Sequence, residues 1–211
     1  ESWSDPRKMG TNKKIGHLLG PVKNKPIQLR NGTIYCPSSS EHDGWRVHFE
    51  TSTDDGKTWN VIGPIHSGKE FASIQPSILS HKDGRLQILC RSKQSKVTQS
   101  WSNNEGKTWS PMTASKLPNP NSGTDAITLN DGRQLIVYNH STRRGAFPSG
   151  RNILNVAISN DGVNWESTLI LEKAQGEYSY PAVIQAKDSM IHITYTYKRR
   201  SIKHVIIDPK K

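Results

Sequence analysis

The sequence predicts an all-β chain assembled from repeated four-strand units, and three observations carry that expectation. One turn segment recurs at near-regular spacing: Ser52-Thr-Asp-Asp-Gly-Lys-Thr-Trp59, Ser102-Asn-Asn-Glu-Gly-Lys-Thr-Trp109 and, one residue shorter, Ser159-Asn-Asp-Gly-Val-Asn-Trp165. A second turn signal recurs ahead of these or in the same frame, at Asn31-Gly32, Asp83-Gly84, Asp131-Gly132 and Asp188-Ser189. Helical periodicity is almost absent, while 16 Gly and 12 Pro punctuate a chain whose apolar content is only 32% and whose mean hydropathy is −0.71, a composition suited to many short strands joined by turns.

In chain order, the opening Glu1-Ser2-Trp3 reads as the tail of one turn segment, so tryptophans fall at 3, 59, 109 and 165, spaced 56, 50 and 56 residues. That period suits a β-propeller of four-stranded antiparallel blades. Within each repeat an apolar strand leads to the first turn, a second strand returns, a third strand follows a loop, and the Trp segment closes the next hairpin. Asp, Asn and Gly accept the positive φ angles of such turns, Ser and Asp side chains bond their amides, and the Trp pins the turn by packing. The approximate repeats are 1–20, 21–70, 71–120, 121–175 and 176–211, forming a single partial domain over 1–211. The last ends after Ile202 to Ile207, a third strand. About three and a half blades are covered, so the chain is expected to be the later part of a six-bladed or seven-bladed ring whose N-terminal blades belong to the same protein.

Cys36 and Cys90 each end a similar apolar run and are expected at equivalent strand positions, packed rather than bonded. No apolar run approaches the length of a membrane span. The excess of 29 Lys and Arg over 18 Asp and Glu, net +11, favours a polyanionic partner or is simply a solvated surface. The basic residues lack the aromatic interleaving of nucleic-acid modules, so an acidic glycan is the better-fitting partner and nucleic acid is not expected. No residue cluster calls for a metal or a cofactor.

The turn segments resemble the Asp-box (BNR) repeat S-x-D-x-G-x-T-W of sialidases, and the likeness is strongest to bacterial proteins described as predicted neuraminidases. The resemblance implies that the Asp-box turns lie away from the active-site face. It also implies site residues. A catalytic Arg of the family ends a second strand shortly before an Asp box, where Leu89-Cys90-Arg91 stands. Another precedes the strand into the next Asp box, as Arg151 does in Gly150-Arg151-Asn-Ile-Leu. The nucleophilic Tyr opens an innermost strand, matched by Tyr178 in Gly176-Glu177-Tyr178-Ser179, with Tyr180 the substitute if the register differs. Gln75, Asp125 and Tyr180 open innermost strands and, with Glu177, are candidate sugar contacts. The family's Glu base falls at Ala72 or Ser73, neither of which is basic, leaving Glu70 and Glu177 as the nearest carboxylates. Plainer readings stand beside these: Arg91 as a surface Arg, Arg151 as a loop charge beside Arg143 and Arg144, Tyr178 as a packed aromatic and His48 as a partly buried structural His.

The chemistry accounts for the grouping. Planar guanidinium forks hold a carboxylate bidentately, and a neutral Tyr attacks where a carboxylate nucleophile would be repelled by an acidic substrate. The resemblance therefore implies an exo-acting, retaining glycoside hydrolase for terminal acidic sugars, extracellular or periplasmic, with this chain inactive by itself. The alternatives are a lyase for uronate-containing glycans and a non-catalytic acidic-sugar-binding propeller.

Overall fold

The computed structural model describes residues 2, 3, 5, 6, 11–13, 15–18, 20–41, 44–143, 145 and 149–210. Glu1, Arg144 and Lys211 lie outside them. The described residues form strands and no helix, in four consecutive antiparallel sheets preceded by a short hairpin of β1 (Thr11–Asn12) and β2 (Gly16–Leu18). The first sheet holds β3 (Ile27–Gln28), β4 (Ile34–Ser40), β5 (Arg46–Ser52) and β6 (Asn60–Ile62). The second holds β7 (Ser73–Ser80), β8 (Leu86–Ser92), β9 (Lys96–Ser102) and β10 (Thr113–Pro118). The third holds β11 (Asp125–Thr128), β12 (Gln134–Tyr138), β13 (Ile153–Ser159) and β14 (Glu166–Lys173), and the last holds β15 (Tyr178–Gln185), β16 (Ile191–Tyr197) and β17 (Ser201–Ile207). Each sheet is a meander in sequence order, and the first strands β7, β11 and β15 are neighbours across sheets. The four sheets are blades of a β-propeller, three with four strands and one with three.

Three apolar clusters fill the gaps between successive blades. Tyr35, Val47 and Phe49 meet Ile78, Ile88 and Cys90; Leu79, Leu89 and Val97 meet Ala126, Ile136 and Tyr138; Leu135, Val137 and Leu154 meet Val183, Ile193 and Tyr195. A middle strand such as β8 therefore buries both faces, with Ile88 and Cys90 on one side and Leu89 on the other, which is why it reads as a continuous apolar run. Both cysteines are buried and free. They are not equivalent: Ile34 faces Ser52 and Leu86 faces Ser102, which aligns Cys36 with Ile88 and sets Cys90 two residues further along the strand.

The Asp-box turns hold themselves by side-chain bonds. Ser52 Oγ accepts the Gly56 amide at 2.8 Å, and Asp54 accepts the Thr58 amide at 2.9 Å and donated Thr58 hydroxyl at 2.7 Å. These bonds, led by the Thr58 hydroxyl, hold the Asp54 carboxyl down to a pKa of about 2. In the second copy Asn104 replaces the Asp; its oxygen accepts the Thr108 amide and its amide donates to Thr108 Oγ1 at 2.8 Å. Each Trp does more than pack. The Trp59, Trp109 and Trp165 ring N–H groups donate to the carbonyls of Gly56, Gly106 and Gly162 at 3.0, 3.0 and 2.9 Å. The latter two carbonyls also accept from the preceding blade, Gly106 from the Tyr35 hydroxyl at 2.7 Å and Gly162 from the Gln87 amide at 2.8 Å. Trp3, by contrast, is fully exposed and makes no such packing.

Two glycines with nearly the same φ test this lock. Gly84 and Gly106 have φ of +86 and +82, but a Cβ on Gly84 meets nothing within 4 Å whereas one on Gly106 falls 2.6 Å from the Tyr35 ring. Gly84→Ala should cost about 1–2 kcal/mol of unfolding free energy, from left-handed backbone alone. Gly106→Ala should cost about 3 kcal/mol or more, because Tyr35 is buried and cannot yield without overpacking. Equal denaturant midpoints for the two variants would show that Tyr35 does not hold the turn.

Candidate functional site

The Asp boxes and the first turns lie at one end of the blades, and the starts of β7, β11 and β15 lie at the other, with the ends of β8 and β12 beside them. Candidate residues gather at this second end. The first strands enter through bulges: the β7 register slips between Ile74 and Ser77, and that of β15 slips between Ser179 and Ala182. The bulges carry Gln75-Pro76 and Tyr180-Pro181, and Gln75 and Tyr180 adopt φ of +58° and +52°. Registers align these two residues with Gly123, and counting back from the Ile27–Tyr35 pair aligns Lys23, at φ +70°. Left-handed non-glycine residues are costly and concentrate at functional sites; here three equivalent ones surround one point. The fourth position is glycine because Lys23 and Tyr180 crowd it, at 3.0 and 3.1 Å from where a Cβ would stand.

Arg91, almost buried at the end of β8, is the hub. Its Nε and Nη2 donate to Asn121 Oδ1 at 3.1 and 3.0 Å, and its Nη1 donates to Tyr180 Oη at 3.1 Å and to Gln75 Oε1 at 3.4 Å. The guanidinium lies 5.1 Å from the centre of the Trp45 ring, whose other cationic neighbour is Lys93 at 4.4 Å. Asn121, itself at φ +58°, also accepts Arg151 Nη2 on its backbone carbonyl at 3.0 Å. Arg91 and Arg151 are therefore held on two sides of one residue.

The remaining candidates take different places. Glu177 is buried; its carboxylate accepts the Ser179 hydroxyl at 2.8 Å and pairs with Arg151 at 3.2 Å and Arg199 at 2.9 Å. Burial would raise its pKa, but these partners outweigh burial and hold it below the usual carboxylate value. Asp125, expected to contact sugar, is a buried tie instead. It accepts from Ser77 Oγ, Val183 N and its neighbour Ala126 N at 3.1, 2.8 and 3.0 Å and pairs with Lys25 at 2.6 Å, joining four blades. It sits two residues deeper than Gln75 and Tyr180, and that offset turns it from the mouth into the wall. Tyr178 is fully buried in the cluster between the last two blades, 5.3 Å from the Tyr197 ring, with its hydroxyl donating to Gln175 O at 3.3 Å. Its alternate, the exposed Tyr180, is the tyrosine that touches Arg91. His48 is buried, 3.0 Å from Glu50. Glu70 is exposed in the loop between β6 and β7.

Lys23, Trp45 and Asn121 went unrecognised in the sequence. Asn121 carried a faint signal, the polar Pro120-Asn-Ser-Gly123 stretch before a strand, and the paired Gln75-Pro76 and Tyr180-Pro181 carried another. Lys23 had none. The residue as a whole is exposed, yet its ammonium is held by three acceptors, donating to Thr124 O, Asn24 Oδ1 and Pro181 O at 2.6, 2.8 and 3.0 Å. Burial lowers its pKa to about 8, against the opposing pull of Asp125 and with help from Lys25 and Arg91. Between pH 8 and its ordinary 10.5 the folded chain thus binds fewer protons at this group than the unfolded chain does, so this group makes stability rise with pH across that window. The unfolding free energy of the native protein, measured relative to Lys23→Met, should increase from pH 7.5 to 10. A flat difference would mean that the ammonium is not enclosed.

Comparison with known proteins agrees with the architecture. A family model described as BNR repeat-like domain matches residues 1–193. No curated protein matches. Among solved structures, a protein of unknown function from Dyadobacter fermentans superposes with a TM-score of 0.76 at 18% identity, over 98% of this chain and 59% of that one. The intramolecular trans-sialidase from Ruminococcus gnavus superposes at 0.68 and 19% identity, over 88% of this chain and 43% of that one. A leech intramolecular trans-sialidase gives 0.68 at 17% identity, over 87% and 31%. The chain spans less than two thirds of the length of each of these structures, and at such identities the likeness is one of fold. With the repeats, the blades and the family model in agreement, the chain belongs to the BNR repeat-like domain family.

Proposed function

We propose that this chain supplies part of the active site of a sialidase-type glycoside hydrolase acting on terminal acidic sugars of glycans. The carrying observation is Arg91, a nearly buried guanidinium at the blade mouth whose Nη1 donates to the exposed Tyr180 phenol, with Arg151 on the far side of Asn121. Among the described residues the hydrogen-bond partners of Arg91 are neutral, and a cation so held is suited to orient a substrate carboxylate. A phenol beside it is suited to act as nucleophile, because the cation favours the phenolate that forms as its proton leaves. Tyr180 takes the nucleophile's role in this reading, since Tyr178 has no exposure. The fold neighbours named as trans-sialidases support this reading, and an extracellular or periplasmic location is part of it. Among the described residues no helix is long and apolar enough to cross a membrane.

A second reading follows from the same phenol. Its described hydrogen-bond partner is Arg91 rather than a carboxylate base, and a tyrosine set beside a cation is equally suited to take the proton next to a uronate carboxylate in β-elimination.

The two readings differ by one water. The intact protein that carries this chain should be incubated with sialylated and with uronate-capped oligosaccharides and the products weighed by mass spectrometry. Hydrolysis adds the mass of water to the summed products, whereas elimination adds none. Tyr180→Phe should lower turnover by about 100-fold or more. Tyr178→Phe should keep turnover and lose about 1 kcal/mol of stability for its single hydroxyl bond. Binding of either oligosaccharide without cleavage would favour a lectin, and full activity in Tyr180→Phe would remove Tyr180 from the chemistry.

A further inference from the structure

Lys23 is the middle residue of a tight turn. The Asn24 amide donates to the Val22 carbonyl at 2.9 Å across a Lys23 φ of +70°, and three-residue turns of that hand are rare and strained. The backbone that carries the ammonium is thus held against its own preference. An ammonium has three N–H groups, and here all three have acceptors. Thr124 O and Pro181 O take two of them, and Asn24 Oδ1 takes the third.

Those acceptors follow the symmetry of the blades. Thr124 and Pro181 each come one residue after an aligned mouth position, Gly123 and Tyr180, so Lys23 takes the same carbonyl from two successive blades. Asn24, from the same turn, serves the second blade: its Nδ2 donates to Gln75 O and Ser77 Oγ, both at 2.9 Å. Two adjacent residues therefore tie the backbone at or next to all three aligned positions in the other blades.

Tyr180 depends on such a tie. Its φ of +52° is costly for a bulky side chain, and the proline after it favours extended backbone instead. Strained residues of this kind persist only where their surroundings over-determine them. The Pro181 ring removes one of the rotations between Tyr180 and the carbonyl that Lys23 holds. On the other side, the Lys23 stem and the Tyr180 ring both crowd Gly123, at 3.0 and 3.1 Å from where its Cβ would stand. An ammonium is a demanding choice for this place: burial disfavours its charge most, Asp125 draws it, and Lys25 and Arg91 repel it. What it contributes is charge-assisted bonds, stronger than those of a neutral donor.

We propose that Lys23 is a positioning residue for the Arg91–Tyr180 pair: through the Pro181 carbonyl its ammonium holds Tyr180 in left-handed backbone, and so keeps the phenol against the Arg91 guanidinium. The consequence for turnover rests on the tyrosine reading of Tyr180; the positioning itself does not.

The test uses the intact protein that carries this chain, labelled with fluorotyrosine and observed by fluorine NMR, with the Tyr180 resonance assigned by its loss in Tyr180→Phe. Lys23→Met keeps the stem against Gly123 and removes the ammonium; it should displace or split that resonance. Gly84→Ala, which destabilises the opposite end of the blades, should leave it in place. On a substrate that the native protein cleaves, Lys23→Met should lower kcat about 10- to 100-fold with KM little changed, the signature of a misplaced reacting group rather than of lost binding. If Lys23→Met does not fold, Lys23→Gln, a neutral donor one atom shorter, is read in its place. A Tyr180 resonance unmoved by loss of the ammonium, or moved equally by Gly84→Ala, would overturn the positioning role. A displaced resonance with native turnover would uphold the positioning and remove Tyr180 from the chemistry, so the two readings fail separately.

Discussion

The carbonyl oxygen of the Asp-box glycine is the point on which the arrangement of blades depends. At Gly106 and Gly162 it accepts the indole N–H of its own turn and a side-chain donor from the preceding blade. A carbonyl has two lone pairs, and this geometry uses both, so one atom closes the hairpin and fixes the angle to the neighbour. The donor from the second blade is Gln87, on β8, the strand that also carries Arg91. Arg91 lies four residues further along the extended chain, about 13 Å away. The lock at one end of β8 therefore sets where the guanidinium stands at the other.

At the mouth, polar groups replace apolar ones as the cross-blade ties. Lys23 reaches from the first blade to carbonyls of the third and fourth, and Asp125 gathers donors from the first, second and fourth. Charges in such positions are costly to bury, and their worth lies in having every bonding direction occupied. Left-handed backbone at Lys23, Gln75, Asn121 and Tyr180 adds a further cost. A surface built only for stability would avoid both. Gln75, Asn121 and Tyr180 all accept from Arg91, so three of these left-handed residues are held against one guanidinium.

The site is consequently cation-dense and finely positioned. Arg91 meets Tyr180 directly, Arg151 is set apart by Asn121, and the Glu177 carboxylate pairs with Arg151 and Arg199.

The sequence by itself determined the all-β repeat, its turn positions and the end-to-end polarity that puts Arg91 and Arg151 away from the Asp boxes, because turn chemistry is local and a strand's ends are set by the turns that bound it. It also singled out Tyr178, with Tyr180 as its alternate, and Asp125. Only the tertiary structure decided which of these is exposed, Tyr180, and which are buried, Tyr178 and Asp125. A bulge shifts the side-chain direction without changing composition, so the pattern that marks a strand does not say whether Tyr178 or Tyr180 turns toward the tunnel. The same holds for Lys23 and Asn121, whose partners lie 101 to 158 and 30 residues away in sequence. Which residue meets which across blades is set by blade packing, and no spacing along the chain records it.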